Sequence, residues 1–264
     1  MRINKVTLKV LSIFAVIAIV AIPLSNLIIK SADPFKPSDK KIDSSSLENY
    51  YKQSINWQDC YGGFKCATYK VPRDYNNLDS GEFDIAVMKH QAESALGNLV
   101  VNPGGPGGSG VDYAYSYETA FTKAVYESFN IVGFDPRGVG RSSAIDCLTN
   151  DETDAAYAAT SYPENEADLA QMQAENQNFA KKCKSNNEAL QFYSTANAAR
   201  DMDILRQLLG DTKLNFLGKS YGTYLGTLYA KNFPERVGRF VLDGAVDPTL
   251  NSSEDTLQQA IGFD

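Results

Sequence analysis

With 264 residues, 43% of them hydrophobic and 22% charged, the chain has an ordinary globular composition and enough length for one large core. Its formal net charge of -7, with no basic patch beyond the N-terminus, excludes the electrostatic footprint of nucleic-acid binding. Four cysteines and one histidine limit the chemistry further, because no C-x-x-C pair and no histidine close to a cysteine offers a zinc site.

Residues 1–31 read as a signal peptide or a signal anchor. Arg2, Lys5 and Lys9 precede an apolar run over 10–22, extended by Leu24 and by 27–29, the layout of an export segment. Taken as 10–29 the run counts 20 residues, about enough to span a bilayer, and the basic end stays cytoplasmic. The protein is expected outside the cell or on its surface, held by the membrane if the segment is uncleaved. Residues 32–50 read as a linker, because Lys, Asp, Ser and Pro dominate the stretch up to Ser46.

Residues 51–250 carry the periodicities of a folded core. Strands are expected over 66–71, 83–88 and 98–101, a helix over 113–126 and a short apolar strand over 129–134. The polar stretch 144–187 predicts helices outside the core. Cys60 and Cys66 are close in sequence and Cys147 and Cys183 bracket the polar stretch. Three pairings remain open, although export favours structural disulfides.

Next come an amphipathic helix over 195–209 with Thr195 as its N-cap and Gly210 as its stop, a strand over 213–217, a helix over 223–232 and a strand over 239–242. Strands alternating with helices predict an α/β protein, a mainly parallel sheet with helices on both faces.

Gly218-Lys219-Ser220-Tyr221-Gly222 falls between the strand and the helix. A G-x-S-x-G string in that context forms a nucleophile elbow, a sharp turn that exposes the serine Oγ. Ser220 is the candidate nucleophile. A helix-capping serine would fit the local string, but the preceding strand favours the elbow. A phosphate loop fails, because Lys213 stands where G-x-x-x-x-G-K-S needs glycine.

The second motif is Asn102-Pro103-Gly104-Gly105-Pro106-Gly107-Gly108-Ser109-Gly110, directly after a strand. Acyl transfer builds negative charge on the substrate oxygen, and fixed backbone N–H groups stabilise it. The candidate donors are the N–H groups of Tyr221 and Gly105, with Gly104 adjacent in the same loop. Gly105-x-Gly107-x-x-Gly110 also fits a dinucleotide fingerprint with Asp135 as its acid, a rival that leaves the Ser220 elbow unexplained. No cofactor or metal is expected.

Three other features have bland and functional readings. The run from Asp135 to Ser142 shapes a site floor, binds a carboxylate or forms an internally bonded turn. Asp243 and Asp247 stand at a strand end, where acids serve catalysis or cap turns. His90 closes an early strand and reads as structural, since a base must reach Ser220 Oγ.

Trp57-x-x-Cys60, Cys66-Ala67, Asn102 to Gly107, Phe134 to Gly138, Gly218 to Thr223 and Val241 to Gly244 together resemble the secreted tripeptidyl aminopeptidases and related exported hydrolases of actinobacteria. That group is similar to proline iminopeptidases within the α/β-hydrolase superfamily. The resemblance implies an α/β-hydrolase sheet, Ser220 as nucleophile, and peptides or small esters and amides as substrates. It also implies chains about twice as long, whose acid and base follow a helical lid. Residues 251–264 would begin that lid, so a truncated fold is expected, with acid and base outside the chain or in a separately encoded C-terminal half. The alternative is a catalytically inactive, membrane-tethered remnant or binding protein.

Overall fold

A computed structural model describes residues 33–159 and 162–263. The export segment expected over 1–31 lies outside the described residues, and among those described no helix is long and apolar enough to cross a membrane.

Seven strands form one sheet: β1 Gln58–Cys60, β2 Phe64–Asp74, β3 Asn77–His90, β4 Asn98–Asn102, β5 Asn130–Phe134, β6 Leu214–Lys219 and β7 Val237–Asp243, in the order β1-β2-β3-β5-β4-β6-β7. β1, β2, β3 and β5 pair antiparallel, whereas β5, β4, β6 and β7 run parallel. β4, β5 and β6 are short apolar runs because both their faces are covered.

Side-chain alternation divides the core. Val100, Val132, Phe134, Leu214 and Phe216 pack with Tyr50, Met202, Leu205, Leu225 and Tyr229. Their strand neighbours Val101 and Ile131 pack on the other face with Ala114, Tyr113, Phe121 and Val125. Tyr50 belongs to α1 Leu47–Tyr51, and it and Phe35 are buried, so two apolar anchors pin down a stretch whose polar composition suggests a linker.

The single helix expected over 113–126 is three short ones: α2 Gly110–Tyr115, α3 Tyr117–Ala120 and α4 Lys123–Ser128. Ser116 leaves helical geometry and its Oγ donates to Asp112 O at 3.0 Å, while Phe121 and Thr122 are extended. The first helix begins early because Ser109 Oγ accepts Asp112 N–H and because Gly110 crosses β5 closely. A Cβ on Gly110 would stand 2.1 Å from Phe134 O.

The polar stretch holds α5 Asn150–Ala158 and α6 Glu166–Asn186, both largely exposed. The disulfides are Cys60–Cys66 and Cys147–Cys183. In α7 Thr195–Leu208 the N-cap is Ser194, whose Oγ accepts Asn197 N–H. Thr195 is the first helical residue, and its hydroxyl turns toward Tyr221. Tyr221 opens α8 Tyr221–Asn232. β7 is an edge strand, with Val241 and Leu242 exposed, and α9 Ser252–Phe263 follows it.

A buried ion pair fixes the turn after β5 to α7. Arg137 Nε and Nη2 donate to the two oxygens of Asp201 at 2.7 and 2.6 Å. Its remaining N–H groups donate to Pro72 O, Arg73 O and Phe192 O. Asp201 also accepts Tyr75 OH at 2.7 Å, and its carbonyl accepts Tyr69 OH. Burial first, then the Asp201 charge, pushes both phenols well above their ordinary range, so they stay donors. Removing one member of such a pair strands the other in a dry interior. Asp201→Asn is expected to lower unfolding free energy by about 3–5 kcal/mol, read from urea denaturation, and Asp201→Asn with Arg137→Met by less.

Candidate active site

Ser220 is the one residue between β6 and α8, at φ 50° and ψ -120°. A non-glycine residue held there stores on the order of 1–3 kcal/mol, so the surroundings must hold it. Ser220 N–H donates to Asp243 O at 2.8 Å, tying the turn to the end of β7. Ser220 O accepts Thr223 N–H at 2.8 Å and Thr223 Oγ1 at 2.7 Å, and the same hydroxyl accepts Val246 N–H. The side chain is exposed.

The flanking glycines are dictated by space. A Cβ on Gly218 would stand 2.3 Å from Gly222 O, and one on Gly222 would stand 2.9 Å from Asn102 Oδ1. The spacing that identifies the elbow in sequence is therefore a packing requirement.

The glycine-rich loop reaches the elbow because β4 lies beside β6, with Asn102 in register with Gly218. Gly104, at φ +99°, approaches so closely that a Cβ would stand 2.5 Å from Lys219 O and 3.1 Å from Ser220 Cβ. Gly104 N–H is spent on Asn102 Oδ1 at 3.0 Å. Gly105 N–H has no acceptor among the described residues. Tyr221 N–H lies at the first position of α8, ahead of the first intrahelical bond. Sequence reasoning missed Asn102, a buried polar residue ending an apolar strand, whose Nδ2 has no partner among the described residues.

Asp135 anchors the loop from behind. Its Oδ1 accepts Ser109 Oγ at 2.6 Å and Val111 N–H at 3.1 Å, and its Oδ2 accepts Arg141 N–H at 3.0 Å. These bonds commit to the protein itself the carboxylate that a dinucleotide reading would use for a ribose. The run from Asp135 to Ser142 is thus an internally bonded turn, and the carboxylate bound by Arg137 is the protein's own Asp201.

His90 stands at the wrong end of the sheet. It pairs with Ile131, which is level with Leu99, while Phe216 is level with Val100. At about 3.3 Å per residue it lies roughly 16 Å from Ser220 along the strand direction. It stacks on Tyr117 with ring centroids 3.8 Å apart. Asp247 caps a turn through Thr249 N–H and Oγ1, bonds that lower its pKa. Asp243 is exposed beside the elbow.

The family model described as alpha/beta hydrolase fold matches residues 97–264. The chain is 38% identical over 224 residues to the serine protease Hip1 of Mycobacterium tuberculosis, covering 80% of this chain and 43% of that protein. It is 35% identical over 228 residues to the tripeptidyl aminopeptidase of Streptomyces lividans, covering 81% and 42%. It is 39% identical over 204 residues to carboxylesterase B of M. tuberculosis, covering 75% and 39%. The chain therefore spans about two fifths of the length of these curated relatives.

Gly104→Val is expected to lower the melting temperature and disorder the elbow, seen as loss of NMR dispersion for Ser220 and Tyr221 amides. Burial lowers the His90 pKa from 6.5. The unfolded chain thus takes up this proton more readily, and stability falls as pH drops through and below 6.5. His90→Gln should flatten that part of the pH–stability curve, measured by urea midpoints between about pH 7.5 and 5.

Proposed function

The chain belongs to the alpha/beta hydrolase fold family, and on that premise we propose that it bears the nucleophile of an exported serine hydrolase of the peptidase class. The observation that carries this reading is the Ser220 backbone, held at φ 50° with its side chain exposed and Gly104 packed against it.

In this reading Ser220 Oγ adds to the carbonyl carbon of a peptide, amide or ester while its proton passes to a base. The developing oxyanion takes hydrogen bonds from the N–H groups of Tyr221 and Gly105. Gly104 supports the loop rather than donating, because its N–H is held by Asn102 Oδ1. Collapse of the adduct breaks the C–N or C–O bond, and the leaving amine or alcohol takes the proton. Water then releases the acyl group by the reverse sequence.

The base comes from outside residues 1–264, since the only histidine, His90, faces the far end of the sheet. The acid that orients it comes from the same source, another part of a longer polypeptide or a separate C-terminal half. The name of one relative, the tripeptidyl aminopeptidase of Streptomyces lividans, supports release of short peptides from N-termini as the activity. Export fits the basic, apolar N-terminus and the two disulfides.

Fluorophosphonate labelling of the purified chain tests the proposal. Labelling should be slow, accelerate with added imidazole acting as the missing base, disappear in Ser220→Ala and survive in His90→Gln. Equal labelling of Ser220→Ala would overturn the assignment.

A further inference from the structure

A cavity of about 400 Å³ opens beside the elbow, bounded by the glycine-rich loop, the turn after β5 and the start of α7. Its apolar wall is made by Pro106, Pro136, Val139, Ile145 and the ring of Tyr221. Gly104 and Tyr221, which flank Ser220 in space and in sequence, form its near rim.

The charged and hydroxyl side chains in this wall are already committed. Arg137 is the charged residue that lines it, yet Asp201 neutralises its guanidinium and carbonyl oxygens take its remaining N–H groups. Tyr193 OH donates to Ser143 O at 3.1 Å. Tyr221 OH and Thr195 Oγ1 bond each other at 2.9 Å, and Ser194 Oγ accepts Asn197 N–H. Asn102 Nδ2 lacks a partner among the described residues, but that atom is sealed from solvent. A carboxylate or ammonium entering here would lose its hydration and find no uncommitted charged side chain to offset that loss. An apolar side chain would lose only unfavourable contact with water.

We propose that this cavity receives one uncharged, apolar side chain of the substrate, that of the residue whose carbonyl is attacked. The identity of that residue rests on the nucleophile reading of Ser220, whereas the selectivity of the cavity does not. An arginine in a pocket wall ordinarily signals an acidic ligand, and here the buried Asp201 cancels that signal.

Binding to the full chain tests this without any turnover. Ligand-observed NMR titrations with N-acetyl-leucinamide and N-acetyl-aspartamide should show the leucine derivative binding at least about tenfold more tightly. Val139→Trp and Ile145→Trp, each filling the cavity, should abolish its binding while keeping the wild-type circular dichroism. Ser220→Ala should bind like wild type, so a failure of acylation at Ser220 would leave this selectivity intact. Equal affinity for the two derivatives on the wild-type chain, or no saturable binding of the leucine derivative, would overturn the proposal whether or not the filled variants fold. So would unchanged binding in both filled variants.

Discussion

The backbone of one residue constrains everything around it. Ser220 sits at φ 50° and ψ -120°, a conformation that no side chain adopts unaided and that persists only where neighbours over-determine it. Those neighbours come from three directions: the end of β7 through Asp243 O, the first turn of α8 through Thr223, and the loop after β4 through Gly104. The parallel order β4-β6-β7 is what brings them to one end of the sheet. Glycine at 104, 218 and 222 follows from that convergence, since each lies within reach of another segment's backbone.

Two buried carboxylates then rigidify the approach. Asp135 joins the glycine-rich loop to the turn after β5, and Asp201 joins that turn to α7 and, through Arg137, to the end of β2. The loop that would meet a developing oxyanion is thereby fixed before substrate arrives, as electrostatic stabilisation of a transition state requires. A third carboxylate, Asp203, takes hydrogen bonds from Tyr51, Tyr229, Arg206 and Arg236, tying the helical layer together behind the site. The pattern also explains why charged residues close to the elbow leave its adjoining cavity apolar.

Much of this was legible in sequence where a single local rule decides. Short apolar runs bounded by turns announced the parallel strands, and G-x-S-x-G after such a run announced the elbow. The helix expected near residues 113–126 divides where Ser116 leaves helical geometry and where Phe121 and Thr122 turn extended, breaks that apolar periodicity does not register. Asp201 and Asp203 were invisible for a different reason. On an amphipathic helix an acid reads as solvated, and only the arrival of Arg137 and Arg236 from distant segments makes these two buried hubs. Their interleaving with Met202, Ile204 and Leu205 was the available signal. Disulfide connectivity could not be chosen from spacing, since it depends on which segments the fold brings together: two strands for Cys60 and Cys66, a loop and a helix for Cys147 and Cys183.

In the proposed reading this chain gives electrostatic support to the reaction, while His90 is too remote from Ser220 for proton transfer. The central claim of that reading is that Ser220 is the group that becomes acylated. The most direct measurement is peptide mapping by mass spectrometry after the chain reacts with p-nitrophenyl acetate in imidazole buffer. The account predicts an acetyl group on the peptide containing Ser220. Acetylation spread over lysines, with Ser220 unmodified, would contradict it.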